Sequence, residues 1–592
     1  MTKQPHEFYT SQIEIFQKQL KGIKQKLFAS SMLRLGVFVL ICYGIYFFFG
    51  DARAIVAVIL LGSALFLFLI SRHSDLAFQK KLLQELIAIN KKELQALKRA
   101  VFDFPEGNEF KEDMHYYSQD IDLFGKGSFY QYLNRTATSE GAQKLAEKLK
   151  SNDIDDIQNK QEAIKELSEK AAWRQDFTGY ASISKAETST ATVVQLLKNH
   201  SFFVPKTMKV LPIVFSVLSV LVFAALFLDI LGLKQLVLWL FIGLGITGFY
   251  LKKVNNLSEK LDKTQEVFQQ YRYLLLQIEK TDFVSTKLKG LQHKIAFENE
   301  KASAIARKFS KNLNAFDQRN NKLLGFLING FLLWDLYQCY HIEQWIKTYG
   351  QKAEDWFAVI AEIDALNSLG NFTFNHTTYT FPEITTGKNV IEARDFVHPL
   401  LDPAKAVTND FKIENQQFFI ITGANMAGKS TFLRTVSLGI VMANLGLPVC
   451  ASSFTYSPIK LITSMRTSDS LTDDESYFFS ELKRLKFIVD KIQEDNYFII
   501  LDEILKGTNS TDKALGSRKF IEKLVASHST GIIATHDLSL CEVEKDHDEV
   551  KNYYFDAEII NDELHFDYTL KNGIAQNMNA SFLLRKMKIV DD

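Results

Sequence analysis

The residues Gly423-Ala424-Asn425-Met426-Ala427-Gly428-Lys429-Ser430 follow directly on the apolar run Phe418-Phe419-Ile420-Ile421-Thr422 and precede a helical pattern that continues to Ala443. Strand, glycine loop and helix in that order is the setting in which G-x-x-x-x-G-K-S cradles nucleotide phosphates. Gly423 and Gly428 let the backbone curl so that its N–H groups face the phosphates. The helix start adds the positive end of its dipole. Lys429 is placed to reach the β- and γ-phosphates and Ser430 to hold Mg²⁺. The ligand implied is ATP with Mg²⁺.

A second cluster lies downstream. Tyr497-Phe498-Ile499-Ile500-Leu501-Asp502-Glu503 is an apolar strand ending in two acids. Asp502 would hold Mg²⁺ directly or through water, and Glu503 would orient or deprotonate an attacking water. Gly531-Ile532-Ile533-Ala534-Thr535-His536 is another strand, ending in a His that can contact the γ-phosphate or the water. Glu503 and His536 are therefore the candidate catalytic residues. Between the clusters, Asp474-Glu475-Ser476-Tyr477-Phe478-Phe479-Ser480-Glu481 would present Ser476 to a nucleotide held by a second subunit. By spacing alone, a serine before a helix is more often an N-cap.

These groups need a scaffold, and the rest of the chain bounds it. At 592 residues several domains are expected. Lys and Arg (69) balance Asp and Glu (69), so no global positive field advertises nucleic acid. Few prolines and much Lys, Glu and Leu point to a helix-rich protein. Cys42, Cys339, Cys450 and Cys541 lie far apart with no C-x-x-C pair, which argues against a zinc or redox motif. The first 30 residues are polar and helix-forming without a small-residue cleavage site, so no cleaved leader is expected.

Four apolar stretches form two pairs: 35–49 with 54–70, and 210–228 with 236–251. Each is a little shorter than the ~20 residues that span a bilayer. Two membrane hairpins with short polar tips are the reading; two buried hairpins of a soluble core are the alternative. Lys18, Lys21, Lys24, Lys26, Arg34, Arg72, Lys80, Lys81, Lys206, Lys209, Lys252 and Lys253 flank the runs, while the tips hold only Arg53 and Lys234. The positive-inside tendency then places both termini and the chemical domain in the cytoplasm, beneath an inner membrane. A fifth apolar stretch, 323–336, is read as a buried core helix. The expected order is an amphipathic helix over 1–30, hairpin 1 over 31–71, a connecting helix over 72–115, a helical core over 116–205, hairpin 2 over 206–252, long solvent-exposed lever-like helices over 253–318, a second core part over 319–370, and an α/β domain over 371–592. The strand-like tract 371–383 opens that last domain.

The phosphate loop with its flanks, Thr422 to Thr431, resembles the T-G-x-N-M-x-G-K-S-T of the MutS family of DNA mismatch-repair proteins, which are ABC-type ATPases. Thr431 thereby joins the nucleotide-binding set. Asp502 to Thr508 is similar to the family's D-E-x-x-x-G-T, with Lys506 where Arg is usual, and Ala534-Thr535-His536 to its A-T-H. Ser476 matches the signature serine and Glu481 a nearby acid. Tyr568-Thr569-Leu570-Lys571-Asn572-Gly573-Ile574-Ala575 resembles the closing Y-x-L-x-x-G-x-A. Upstream, Leu133 to Ala142 and Ala361 to Leu366 resemble segments of the family's helical core. The resemblance implies an all-α core and lever carrying two transmembrane hairpins, followed by an α/β P-loop ATPase domain. It also implies a homodimer with two composite ATP sites, and DNA as a partner. The departures concern DNA. Phe104-Pro105-Glu106 fits the family's Phe-x-Glu wedge with no domain around it. A hydrophobic hairpin stands where the DNA clamp belongs, and Ala406 falls where an adenine-stacking aromatic is expected. Coupling to DNA, or to the membrane hairpins without DNA, are the two functional expectations.

Overall fold

The computed structural model describes residues 4–183, 188–297, 300–466, 477–506, 509–560 and 563–576. The chain begins with two long helices, α1 (Pro5–Phe47) and α2 (Ala52–Leu97), packed along each other. Gly50 turns the tip at φ 105°, and Asp51 Oδ1 accepts the Ala54 N–H at 3.2 Å to start α2. Gly44 lies against Val58 and Gly62 against Ile41, so a glycine meets a branched side chain twice across the pair. Short helices α3 (Phe129–Leu133), α4 (Ser139–Lys150), α5 (Ile157–Glu169), α6 (Ala171–Ile183) and α7 (Thr190–Lys198) follow. Ser128, Thr138 and Ser189 cap α3, α4 and α7 by accepting N–H groups of the first turn. The second hairpin is α8 (Leu211–Phe227) with α9 (Leu233–Lys280), and α10 (Thr286–Ile295), α11 (Ala302–Phe316), α12 (Lys322–Leu332), α13 (Trp334–Tyr349) and α14 (Lys352–Asn375) complete the helical part.

Several expected boundaries shift. The helix expected over 1–30 and the hairpin over 31–71 are one body, because nothing between Phe28 and Gly36 breaks α1. α2 likewise carries the apolar run straight on to Leu97, and the rest of 72–115 is mostly irregular strap. The helices over 253–318 are not solvent-exposed. Val254, Leu257, Leu261, Val267, Phe268, Tyr271, Leu274 and Ile278 of α9 are buried at helical spacing, as are Ile305, Phe309 and Leu313 of α11 facing them. α12 is not a buried core helix: Leu323, Phe326 and Leu327 are exposed and the helix lies on α8 and α9. The tract 371–383 does not open as strand, because residues 371–375 are the last turn of α14, with Phe372 packed on Phe129 and Tyr132.

Helices over Pro5–Phe47, Ala57–Leu97 and Leu233–Asp262 are long and apolar enough to cross a membrane, and Leu211–Phe227 is a shorter apolar helix. Only 6 %, 6 % and 17 % of their most apolar windows are buried within this chain. Their polar continuations dock on the helical core. Tyr9 donates to Asn375 Oδ1 at 2.7 Å and packs on Phe374. Phe78 of α2, Tyr180 of α6 and Tyr273 of α9 stack in series, with Phe78–Tyr273 centroids 4.9 Å apart. Both hairpins thus meet at one aromatic stack.

The two core segments singled out in the sequence touch. Asp364 of α14 is fully buried and accepts the N–H groups of Ala137 and Thr138 and the Thr138 hydroxyl, at 2.7–3.1 Å. Burial pushes its carboxyl up to about 6, against those hydrogen bonds.

The α/β domain contains β1 (Glu383–Ile384), β2 (Asn389–Phe396), β3 (Asn409–Glu414), β4 (Phe418–Gly423), α15 (Lys429–Leu445), β5 (Ser453–Tyr456), β6 (Lys460–Ser464), α16 (Tyr477–Lys491), β7 (Tyr497–Asp502), α17 (Ser510–Ala526), β8 (Thr530–Ala534), β9 (Val550–Phe555), β10 (Glu558–Ile560), β11 (Glu563–His565) and β12 (Leu570–Asn572). Its main sheet has the order β12-β9-β4-β8-β7-β6, parallel except for β12. The second sheet is β1-β5-β2-β3, and β10 pairs with β11. Strands β4, β7 and β8 are apolar runs buried almost throughout, as a parallel sheet covered on both faces requires.

A Cβ at Gly141 would lie 2.2 Å from Asp364 Oδ2. Gly141→Ala is expected to displace that carboxylate and to cost about 2–3 kcal/mol. Denaturant unfolding would check this, and a loss below about 0.5 kcal/mol would contradict the assigned contact.

Candidate active site

Parallel pairing of β4, β8 and β7 brings three carboxyl ends to one edge of the sheet. Ile421 and Asp502 both pair with Ala534, the last residue of β8. The Thr535 N–H donates to Ile421 O and the Glu503 N–H to Ala534 O, both at 2.9 Å. The phosphate loop, the acid pair and His536 therefore face one space, as ligands do at the carboxyl ends of open α/β sheets.

The loop has the conformation that its residues allow. Gly423 has φ 146° and its missing Cβ would lie 2.6 Å from Phe555 O. Gly428, at φ 108°, precedes α15 and faces the Tyr568 ring. Met426 takes φ 68° and is exposed. Lys429 is buried, and its Nζ donates to Gly423 O at 2.7 Å, to Ala424 O at 2.9 Å and to His536 Nε2 at 3.4 Å. Ser430 Oγ donates to Asp502 Oδ2 at 2.6 Å, so the two candidate Mg²⁺ ligands already converge. A hydroxyl and a carboxylate are the oxygen donors that Mg²⁺ takes from protein when substrate phosphates supply the rest. Among the described residues no cluster of three or more His, Cys, Asp or Glu suggests another metal site.

Glu503 and Leu505 take φ 54° and 59°, left-handed values uncommon for such side chains. Glu481 holds this turn. Its buried carboxylate accepts the N–H groups of Leu505 at 2.6 Å and Lys506 at 3.1 Å. Burial raises the Glu503 carboxyl, but the hydrogen-bonded Lys513 ammonium at 2.9 Å outweighs it, with Lys506 adding to the effect, and holds the group below the usual glutamate range. His536 is lowered by burial and by Lys429, which keeps it neutral near pH 7.

A cavity of about 780 Å³ opens over the loop, lined by Gly428, Lys429, Ser430, Asp502, Glu503 and His536. That volume lies within the range of small-molecule sites. Ala424, Asn425, Met426 and Thr431 also line it; of the sequence-derived set, Gly423 and Ala427 do not line the cavity, Ala427 being buried, and Ser476 lies outside the described residues. Ala406 does lie on the cavity wall. So do His398 and Tyr568, which the sequence reading had not placed there. The closing motif explains Tyr568: Asn409 accepts the Leu570 N–H and donates to Tyr568 O, and the Ala575 N–H donates to Thr422 Oγ1. Burial, with Arg434 adding to it, lowers His398 to about 4.

The strap after α2 grips the same domain. Arg466 makes a two-pronged pair with Asp122 at 2.6 and 2.8 Å, and its N–H donates to Asp120 Oδ1. Arg434 of α15 donates to Asp120 O, while Tyr116 O accepts from Thr463 N and Arg484.

Residues 419–587 match the family model for MutS domain V. The chain is 28 % identical over 253 residues to the DNA mismatch repair protein MutS of Staphylococcus carnosus, covering 42 % of this chain and 28 % of that protein. It is 29 % identical over 214 residues to MutS protein homolog 4 of Homo sapiens, covering 34 % of this chain and 22 % of that protein. The C-terminal domain of this chain belongs to the MutS family. The chain spans less than a third of these relatives' lengths.

Burial lowers the Lys429 ammonium to about 8, with Asp502 and Glu503 opposing the shift. Phosphate oxygens would raise it again, so binding above that pH takes up a proton. Mg-ATP affinity should therefore be level below about pH 8 and fall by up to about tenfold per pH unit above it. Calorimetric titration from about pH 7 to about pH 9.5 tests this, and a constant affinity would contradict it.

Proposed function

We propose that this chain is a membrane-anchored MutS-like ATPase that binds Mg-ATP in a composite homodimer site, hydrolyses it to ADP and phosphate, and couples that cycle to DNA. The observation that carries the ATPase reading is the convergence of Lys429, Ser430, Asp502, Glu503 and His536 on one cavity at one sheet edge. Lys429 would exchange its two loop carbonyls for phosphate oxygens. Ser430 and Asp502 would hold Mg²⁺, which neutralises charge on the phosphates and polarises the γ-phosphoryl group. Glu503 would orient the attacking water and take its proton, leaving Lys513 as it does so. Neutral His536 would accept or donate at the water or the γ-phosphate. Ser476 of the second subunit would complete the site.

The membrane part of the proposal rests on the exposed apolar helices and on the lysines at their core-side ends. The positive-inside tendency puts the ATPase domain in the cytoplasm, beneath an inner membrane. The DNA part rests on relatives named for DNA mismatch repair. A second reading, in which the motor moves the hairpins and binds no DNA, draws support from the strap. Asp120 and Asp122 tie the segment after α2 to α15 and to Arg466.

Glu503→Gln is expected to keep Mg-ATP binding and to slow steady-state hydrolysis by about 10²-fold or more; undiminished turnover would refute the role of Glu503. For the DNA arm, the affinity of detergent-purified protein for duplex, mismatched and branched DNA would be measured against salt. Binding that weakens steeply with salt is expected. No binding to any substrate at low salt would sink the DNA arm and favour the second reading.

A further inference from the structure

Helix α12 is apolar and only 11 residues long. At 1.5 Å per residue it extends about 16 Å, roughly half of a hydrocarbon core of about 30 Å. Its contacts lie inside the apolar part of the second hairpin. A Cβ on Gly243 of α9 would lie 2.2 Å from Gly330 O, so the two helices cross backbone against backbone. The Ser219 hydroxyl of α8 donates to Phe331 O at 2.6 Å and accepts the Trp239 indole N–H at 2.8 Å. The Phe223 and Phe331 rings are 4.9 Å apart. The N-terminal half of α12 is apolar and uncovered: Leu323 is 75 % exposed, Phe326 47 % and Leu327 42 %.

The chain cannot cross a bilayer here. It arrives from α11, whose Phe309, Leu313 and Phe316 are buried in the helical core, and departs into α13, whose Leu336, Cys339 and Ile342 are buried there too. Most polar groups at the turn are paired within the protein, although the buried Asp335 Oδ1 has no hydrogen-bond partner among the described residues. Asn329 donates to Gly325 O and accepts the Asp335 N–H, and Arg319 bonds Asp335 at 2.9 Å and Asn255 at 2.6 Å. Irregular backbone at membrane depth is tolerated when its groups are satisfied in this way.

We propose that α12 is a re-entrant membrane helix, entering and leaving from the core side, with Leu323, Leu324, Phe326 and Leu327 against lipid acyl chains. The inference rests on the membrane reading of α8 and α9. It commits to lipid because α12 packs on those same helices, whose own exposed apolar residues include Leu218, Leu221 and Phe241.

The test uses the full-length protein with Cys42→Ser, reconstituted in phospholipid vesicles. Nitroxide labels are placed on introduced cysteines Phe326→Cys and Leu327→Cys, with Phe241→Cys on α9 and Val284→Cys on the exposed core surface as references. The proposal expects positions 326 and 327 to match 241, with oxygen accessibility exceeding that of a water-soluble nickel chelate several-fold more than at 284. Positions 326 and 327 resembling 284 while 241 is in lipid would overturn the α12 assignment alone. Shielding of 326 and 327 from both reagents would mean that protein covers them and would overturn it equally. Water exposure at 241 would overturn both this assignment and the membrane reading. If one labelled variant fails to fold, the other decides.

Discussion

Everything chemical in this molecule depends on the parallel pairing of β4 with β8 and of β8 with β7. Side chains alternate along a strand, so a slip of one residue would turn Asp502 away from Ser430 and destroy the convergence of hydroxyl and carboxylate. The polar ends of the apolar runs limit that register, because a slip would draw Gln417 or Asp502 into the buried sheet. The loop can then afford its strained backbone: Gly423 and Gly428 have no Cβ, while Met426 and Glu503 hold left-handed values against the surrounding framework. Glu481 belongs to that framework, since its buried carboxylate fastens the turn that aims Glu503.

The helical part depends on a different kind of fastening. Buried polar groups join distant segments where apolar packing alone would leave the register loose. Asp364 pins the start of α4 to α14, and Tyr9, Arg174 and Asn371 form a buried hydrogen-bonded set at the other end of α14. Unpaired, such groups would be costly; paired, they specify one arrangement. The aromatic series Phe78, Tyr180 and Tyr273 then joins the two hairpins, so neither is an independent appendage.

The candidate site was legible because its residues are local in sequence. Eight consecutive residues make the phosphate loop, and Asp502-Glu503 and His536 end strands whose apolar runs are plain in the sequence. Tyr568 and His398 were not legible as cavity walls, since only the β12–β9 pairing and the β2–β3 connection bring them to the cavity. Glu481 stood out as an acid near Ser476, but its hydrogen bonds run to backbone N–H groups, which leave no trace in composition. Hydropathy found α12 without its surroundings, because leucine and phenylalanine serve a protein core and a lipid face equally well. The lower half of α9 is a different case. Its spacing, from Val254 through Leu257, Leu261 and Phe268 to Ile278, was there to be read, but abundant charge on the outer face masked it.

α1 is unbroken over 43 residues, anchored at Tyr9 against Asn375, where the helical core meets the ATPase domain, and free of the core at its far end. From Tyr9 to Phe47 the helix rises about 57 Å. A rigid rod of that length has mechanical gain: a tilt of about 5° at the base would carry the tip through about 5 Å. Paired with α2, it is stiffer than either helix alone. Small rearrangements delivered at the foot of such a rod would be amplified to displacements of several ångströms at its tip.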